Sequence, residues 1–418
     1  MNILIITAVY PPEPVVSAQM GRDLALQLAG NGHVVKVLCP SPSRPIGADY
    51  AGLKAAREPL VLKEGSVEVV RLPSFTAPES RFLPRMRESA SFGRHVCRYM
   101  RAMRDKPDVV YMNAWPLFAQ AMIASFCFWR GIPLVLQVMD VYPESLVNKL
   151  PSALRWIVEP PLLWLDRRIA KRASHVVVIS NSMLRHYAQT RNLPEHKISL
   201  IHTWCDAEPF LNMPEQLVCR DRYKMDPRKF TFFFLGNIGP VAGVELLIQA
   251  FHAAKLDNAQ LVIAGDGSAK ADCIRLKERL GASSIHFVSD PEVSHTADLL
   301  GMADVCLLPM QKGSASSSIP SKLMAYMLSG RPVLASVDTD SDTAQCIREA
   351  GAGWVGEPEN VEWLAGKMRE VTAMEQDKLH TMGQNGHAYA MKHFSKAKGV
   401  QQLGAVIERQ ATLTGASI

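Results

Sequence analysis

The sequence carries no CxxC pair among its eight cysteines, no HExxH or other ligand spacing among its twelve histidines, and no GxGxxG. These absences argue against a cysteine-bound zinc site, a zincin-type metal centre and a nicotinamide dehydrogenase. Several cysteines sit inside apolar runs such as "VVKVLCP" and "DVCLLP", which fits reduced packing residues of a cytosolic protein. Long hydrophobic runs are missing too. The longest, "AWPLFAQAMIASFCFW" (114–129), stops at Arg130 and predicts a buried helix, not a membrane span. The opening "MNILIITAVYPP" has no basic flank and does not read as a signal peptide. Aromatics make up only 7% of the chain and are not interleaved with basic residues, so a stacking platform for nucleic acid is absent. No low-complexity tract or short repeat is visible.

What remains is a chain of ordinary globular composition, 48% hydrophobic and 21% charged. Its 418 residues exceed a single core and predict two or three domains. The net charge of +6 is unevenly spread: residues 1–205 hold 25 Lys and Arg against 15 Asp and Glu, and the remainder holds 21 against 25. A basic half calls for an anionic partner, whether a phosphorylated substrate, a membrane surface or nucleic acid. Short apolar, β-branched runs alternate with helical patterns throughout, from "NILIIT" (2–7) and "VVKVL" (34–38) to "FTFFFLG" (230–236) and "QLVIAG" (260–265). Strands this apolar belong to parallel sheets covered on both faces. The polar, Pro-bearing stretch 206–230 reads as a linker. The expected architecture is therefore α/β, two doubly wound Rossmann-like domains facing across a cleft, one over 1–205 and the other over 206–393.

Ligands of such sheets bind beyond the carboxyl ends of the strands, so the informative loops follow strands. After the first strand, Ser17 is expected to cap a helix ending near Gly30–Gly32. After "FTFFFLG" comes the glycine-punctuated "NIGPVAGVELLIQAF". Further on, "SSSIPSKLMAYMLSG" (316–330) reads as a helix with Pro320 in its first turn, an apolar face at Leu323, Met324, Met327 and Leu328, and Gly330 as its stop. The free N–H groups and positive dipole end lie beside Ser321 and Lys322, which suits an anion. A capped helix whose lysine reaches water fits the same residues. "VDTDSD" (337–342) reads as turn and cap chemistry rather than a metal site. In 87–106, Arg87, Arg94, Arg98 and Arg101 fall on one side of a helix and Phe92, Val96, Tyr99, Met100 and Met103 on the other, with Gly93 weakening the helix.

The order of "YPPEP", "GHVVKVL", "LGNIGPVAGVELLIQAF", "LVIAGDG", "ADVCLLP" and "PSKLMAYMLSGRPVLAS" resembles glycosyltransferase family 4, whose members have the GT-B architecture. The "PSK…GRPVLAS" form resembles the branch of bacterial O-antigen, colanic-acid and capsule assembly that includes L-fucosamine transferases. The final segment 394–418 resembles the family's C-terminal helix, which completes the first domain. The resemblance implies a nucleotide-sugar donor in the second domain, with Gly236, Asn237 and Gly239 giving the phosphates backbone room and Val288 and Ser289 beside the base. Lys312, Ser317, Pro320, Ser321 and Lys322 would lie along the donor. Two family glutamates fall on Ser317 and Ala325 here, and the family's basic pair falls on Asn237 and Ala242. Positive charge for the diphosphate is then left to Lys322 and Lys312.

On the acceptor side the resemblance points to Glu13, to Asn113 where the family commonly has histidine, and to Asp140 and Glu144. Asp140 and Lys322 are the expected catalytic positions, although a loop carboxylate capping the next helix also explains Asp140 and Glu144. The function implied is retaining transfer of a sugar, from a UDP-linked donor, to a lipid-linked saccharide of a bacterial surface polysaccharide. An N-acetyl-6-deoxyhexosamine is the sugar favoured. Neither metal nor other cofactor is expected. Localisation would be cytoplasmic and peripheral, on the inner face of the membrane, with Arg87, Arg94, Arg98 and Arg101 toward anionic lipid. Two rivals stay open on the residues alone: a non-catalytic partner subunit of the same shape, and a sugar-nucleotide epimerase.

Overall fold

The computed structural model describes residues 1–44, 49–50, 52–77, 82–113, 117–147, 151–289, 296–313 and 319–415. The chain forms two compact units, Met1–His202 with Gly399–Ile418, and Thr203–Lys398.

The first unit is built on β1 (Asn2–Thr7), β2 (Val34–Pro40), β3 (Leu60–Glu64), β4 (Val67–Leu72), β5 (Val109–Asn113), β6 (Leu134–Val138), β7 (His175–Val178) and β8 (Ile198–Leu200). They form one sheet in the order β3-β4-β2-β1-β5-β6-β7-β8, parallel except for the edge strand β3. β1 lies centrally, flanked by β2 on one side and β5 on the other, so the strand order reverses there. Helices α1 (Val16–Gly30), α2 (Phe82–Ala102), α3 (Leu117–Trp129), α4 (Glu144–Val147), α5 (Ser152–Arg172) and α6 (Asn181–Arg191) connect the strands. Ser17 lies inside α1, and Val15 precedes the helix without a side-chain cap, which corrects the expected capping role. On α2 the arginines 87, 94, 98 and 101 are exposed, whereas Phe92, Val96 and Met100 are buried. Gly93 has a packing reason: a Cβ there would come within 2.9 Å of the Ala119 Cα on α3. The residue that weakens the helix in isolation lets two helices approach.

The second unit contains α7 (Glu208–Leu211), α8 (Gln216–Arg222), β9 (Phe230–Leu235), α9 (Val244–Ala254), β10 (Ala259–Ala264), α10 (Lys270–Arg279), β11 (Ile285–Val288), α11 (Thr296–Gly301), β12 (Val305–Pro309), α12 (Ser321–Leu328), β13 (Val333–Ser336), α13 (Asp342–Ala350), β14 (Gly353–Gly356), α14 (Val361–Thr372) and α15 (Gln376–His393). Its sheet is wholly parallel, in the order β11-β10-β9-β12-β13-β14. Alternation along β9 sends Phe233 to one core layer and Phe230, Phe232 and Phe234 to the other. That two-sided burial explains why the strand is apolar at nearly every position. The expected linker 206–230 is instead part of this unit. Its helices α7 and α8 bury Phe210 and Cys219, and Arg220 pairs with Asp304 at 2.6 Å.

The last helix, α16 (Lys396–Gly415), returns to the first unit. It buries Leu403 and Ile407, and its Glu408 accepts from Asn31 at 3.2 Å and lies 2.9 Å from the His33 ring.

Candidate functional site

In the second unit the strand order reverses between β9 and β12, and open parallel sheets hold ligands at such a point. The loops there are Gly236–Gly239 and 310–313. A buried tyrosine fixes the helix beside them. The Tyr326 hydroxyl, on α12, accepts from the Leu235 N–H at 2.9 Å and donates to the Leu235 carbonyl at 3.2 Å. One turn earlier on the same face, Lys322 is thereby held over the end of β9. Its ammonium sits 4.3 Å from the centroid of the Phe234 ring. Its stem lies against Gly236, where φ is +142° and a Cβ would overlap the Lys322 Cε. Glycine is needed at 236 for both reasons.

Burial lowers the Lys322 pKa to about 8, and no carboxylate among the described residues pairs with it. A largely desolvated ammonium without a counter-ion, at the N-terminus of a helix, is an anion site in its physics. Pro320 is the residue just before α12 rather than its first, a shift of one position from the sequence reading, and it offers no side-chain cap. Ser321 opens the helix and is exposed. Of the first-turn N–H groups, that of Leu323 donates to the Pro320 carbonyl at 3.0 Å. Ser317 lies outside the described residues. Lys312 is exposed, and the turn that bears it is braced by the Gly313 N–H donating to Asp338 at 2.8 Å. In the "VDTDSD" stretch Ser341 caps α13 by accepting from the Ala344 N–H at 3.2 Å.

Asn237 is exposed and Gly239 buried, on a loop whose Ile238 N–H donates to the Asp266 carbonyl at 2.8 Å. Val288 closes β11, half-buried, and its carbonyl accepts from the Gly265 N–H at 3.1 Å. Ser289 accepts from the Lys270 ammonium at 2.6 Å, and Lys270 also donates to the Gly265 carbonyl at 3.1 Å. Lys270 was not singled out from the sequence. The available signal was a lysine four residues beyond Asp266, at the start of α10 behind the "GDG" turn. The structure brings Gly236, Asn237, Val288, Ser289 and Lys322 to the same edge of the sheet, the carboxyl ends of β9, β11 and the start of α12.

In the first unit Glu13, Asn113 and Asp140 follow the adjacent strands β1, β5 and β6. Glu13 is 4% exposed, and its Oε1 accepts from the backbone N–H groups of Ser43 at 3.1 Å and Arg44 at 3.2 Å. Burial raises its pKa, against the backbone donors that lower it. This carboxylate ties two loops together, so a substrate-facing role is corrected to a loop-bracing one. Asn113 is buried at the end of β5, and its Nδ2 has no hydrogen-bond partner among the described residues. An unpaired buried amide is costly, on the order of 1–3 kcal/mol, unless a ligand or water accepts its hydrogen bond. Asp140 is exposed and accepts from the Ser145 hydroxyl at 2.9 Å.

Glu144 is consumed by structure. Its carboxylate pairs with Arg191, with one Nη2–Oε2 contact at 2.8 Å, and accepts from His186 at 3.0 Å. Burial alone would raise its pKa, but Arg191 and His186 outweigh burial and lower it. The fully buried Arg191 also pairs with Asp166 at 2.7 Å and donates to the Tyr142 carbonyl at 2.9 Å. Arg191, which the sequence does not single out, therefore anchors the loop that presents Asp140, with Glu144 as its partner.

Two family models match the chain in succession: Glycosyltransferase Family 4 over residues 19–209 and Glycosyl transferases group 1 over residues 219–389. The chain belongs to glycosyltransferase family 4. This family 4 enzyme is a glycosyltransferase of the GT-B class. It is similar to WcaI of Escherichia coli (strain K12), described as a colanic acid biosynthesis glycosyl transferase, at 23% identity over 88% of this chain and 92% of that one. Similarity to the glycosyltransferase WbjE of Pseudomonas aeruginosa is 24% over 72% of this chain and 74% of that one. In fold it resembles HepE of Anabaena in complex with UDP and glucose, with a TM-score of 0.68 and 17% identity over 98% of this chain and all (100%) of that one.

Proposed function

We propose that the enzyme transfers a sugar from a UDP-linked donor to a lipid-linked saccharide in the assembly of a bacterial surface polysaccharide, with retention of anomeric configuration. The observation that carries this reading is Lys322, a half-buried cation with no carboxylate partner among the described residues, held at the start of α12 above Gly236. The WcaI description and the UDP held by HepE support the polysaccharide and the nucleotide, respectively.

In this reading the donor diphosphate lies along Lys322, Ser321 and the first-turn N–H groups of α12, with Lys312 adding charge from its turn. Gly236, Asn237 and Gly239 leave the phosphates close backbone approach, and Val288 and Ser289 flank the base. As the glycosidic C–O bond breaks, negative charge grows on the leaving diphosphate, and the preorganised cation and helix end favour that state over the ground state. The acceptor hydroxyl attacks from the face the diphosphate leaves and passes its proton to a donor phosphate oxygen. Asn113 and Asp140 orient the acceptor. No metal or other cofactor takes part in this scheme.

A serine at 317, where the family commonly has a carboxylate, removes a strong acceptor for sugar hydroxyls. A donor with fewer hydroxyls, an N-acetyl-6-deoxyhexosamine, loses least by that change. The test is turnover of a panel of UDP-sugars by wild type and Lys322→Ala. The expected outcome is faster use of the UDP-N-acetyl-6-deoxyhexosamine than of UDP-glucose. Turnover should fall by more than tenfold in the variant, roughly 1.4 kcal/mol of transition-state stabilisation or more. UDP-glucose as best donor overturns the sugar assignment, and unchanged turnover in a folded variant overturns the role of Lys322.

A further inference from the structure

The helical layer formed by α2, α3 and α5 in the first unit exposes an unusual set of large apolar side chains. Trp129 is 76% exposed, Trp156 73%, Trp164 59% and Phe128 54%, with Ile157 and Leu154 also more than half exposed. At 100° per residue, Ile157, Trp164, Arg168 and Arg172 fall on one stripe of α5. Arg172 joins this stripe to α3, and the Phe126 ring joins α3 to α2. The Arg168 guanidinium lies 5.5 Å from the Trp164 ring, and that of Arg172 lies 5.3 Å from the Phe128 ring and donates to Ser125. Arg101 of α2 and Arg130 after α3 lie 5.7 and 5.5 Å from opposite partners' shared ring, Phe126. Between α2 and α3 runs a groove of about 450 Å³ with Arg94, Arg101, Arg130 and Trp129 in its walls.

Charge decides what covers this face. Including Arg130, the three helices carry eleven Lys and Arg against three carboxylates. Each carboxylate is already paired with an arginine: Glu88 with Arg85 at 2.7 Å, Glu159 with Arg155 at 3.5 Å and Asp166 with Arg191 at 2.7 Å. The remaining positive charge is therefore uncompensated within the layer. A second copy of this chain would set arginine against arginine, whereas a surface dense in phosphate neutralises them. Indole and phenyl rings beside arginines suit the boundary between headgroups and acyl chains, where one end of the ring is wet and the other apolar. No helix among the described residues is long and apolar enough to cross a membrane, so the contact is a surface one.

We propose that the α2–α3–α5 face docks on an anionic phospholipid surface, with Phe128, Trp129, Trp156 and Trp164 entering the interface and Arg94, Arg98, Arg101, Arg130 and Arg168 meeting the phosphates. This deepens the lipid-linked acceptor of the proposed function but does not depend on the donor assignment. The experiment is flotation of the full chain with vesicles of phosphatidylcholine alone and of phosphatidylcholine with phosphatidylglycerol. Wild type, Trp129→Ser with Trp164→Ser, and Arg94→Glu with Arg98→Glu are compared, and the circular dichroism and thermal unfolding of each serve as the control for folding.

The expected result is flotation only with phosphatidylglycerol, weakened by salt, and a loss of at least tenfold in the vesicle partition coefficient for both double variants at unchanged thermal unfolding. Equal flotation of wild type and variants overturns the proposal, as does no flotation by any. So does a wild-type dimer in sedimentation that both variants abolish without vesicle binding. Unchanged UDP affinity after Lys322→Ala, with flotation of the wild type intact and lost in both double variants, is a failure of the donor reading alone.

Discussion

Burying Lys322 works against folding. Its pKa of about 8 in the folded chain, against 10.5 for a free lysine, means burial favours the neutral amine. The unfolded chain binds more protons between those two values, so stability rises with pH through that window. Below pH 8 the penalty is fully present, and it has gone above 10.5. The shift corresponds to at most about 3 kcal/mol. Lys322→Met should therefore unfold at a higher denaturant concentration than wild type at pH 7, with the advantage shrinking as pH approaches 10.5. A less stable variant at pH 7 would show that the ammonium is already compensated in the free protein. The lysine was legible in the sequence from its place after Pro320. Its burial was not, because that depends on Phe234 and Gly236, which lie more than eighty residues away in the chain. Glu13 and Glu144 illustrate the reverse. Both are loop carboxylates after strands, but only the fold shows that backbone N–H groups and Arg191 occupy them.

Helix α12 is held by the buried Leu323, Met324, Met327 and Leu328 and by one buried hydroxyl, Tyr326, bonded to both polar groups of Leu235. Tyr326→Phe leaves that N–H and carbonyl without their partner, at a cost of about 1–3 kcal/mol. It also loosens the helix that aims Lys322. Denaturant unfolding should show the stability loss, and UDP titration a weaker affinity although residue 326 touches no proposed ligand atom. If both are unchanged, α12 is positioned by its apolar contacts alone. Among the elements, continuous apolar strands such as β1, β5, β9 and β10 were legible because both their faces are buried. β3 carries no such signal because it is an amphipathic, half-exposed edge strand, β8 because three residues hold no pattern, and β14 because two of its four residues are glycine. The stretch 206–230 looked like a linker because its buried residues, Phe210, Cys219 and Arg220, are widely spaced among charged ones.

At the scale of the molecule, two parallel sheets each present a reversal point, and the groups that the family places on donor and acceptor follow the strands beside those points. The basic excess of residues 1–205 belongs to the first unit and Lys322 to the second. The division into α/β halves was legible from strand–helix alternation. The return of α16 to the first unit rests on Leu403, Ile407 and Glu408 finding partners near residue 30, which no local pattern reveals. The donor assignment is tested most directly by calorimetric titration of UDP into wild type and Lys322→Met between pH 7 and pH 9.5. Wild type should bind more than tenfold tighter at pH 7, roughly 1.4 kcal/mol or more. Because the bound diphosphate raises the Lys322 pKa, that advantage should decline as pH climbs above about 8, where the free amine begins to lose its proton. Equal affinities of the two proteins at pH 7 would contradict the assignment.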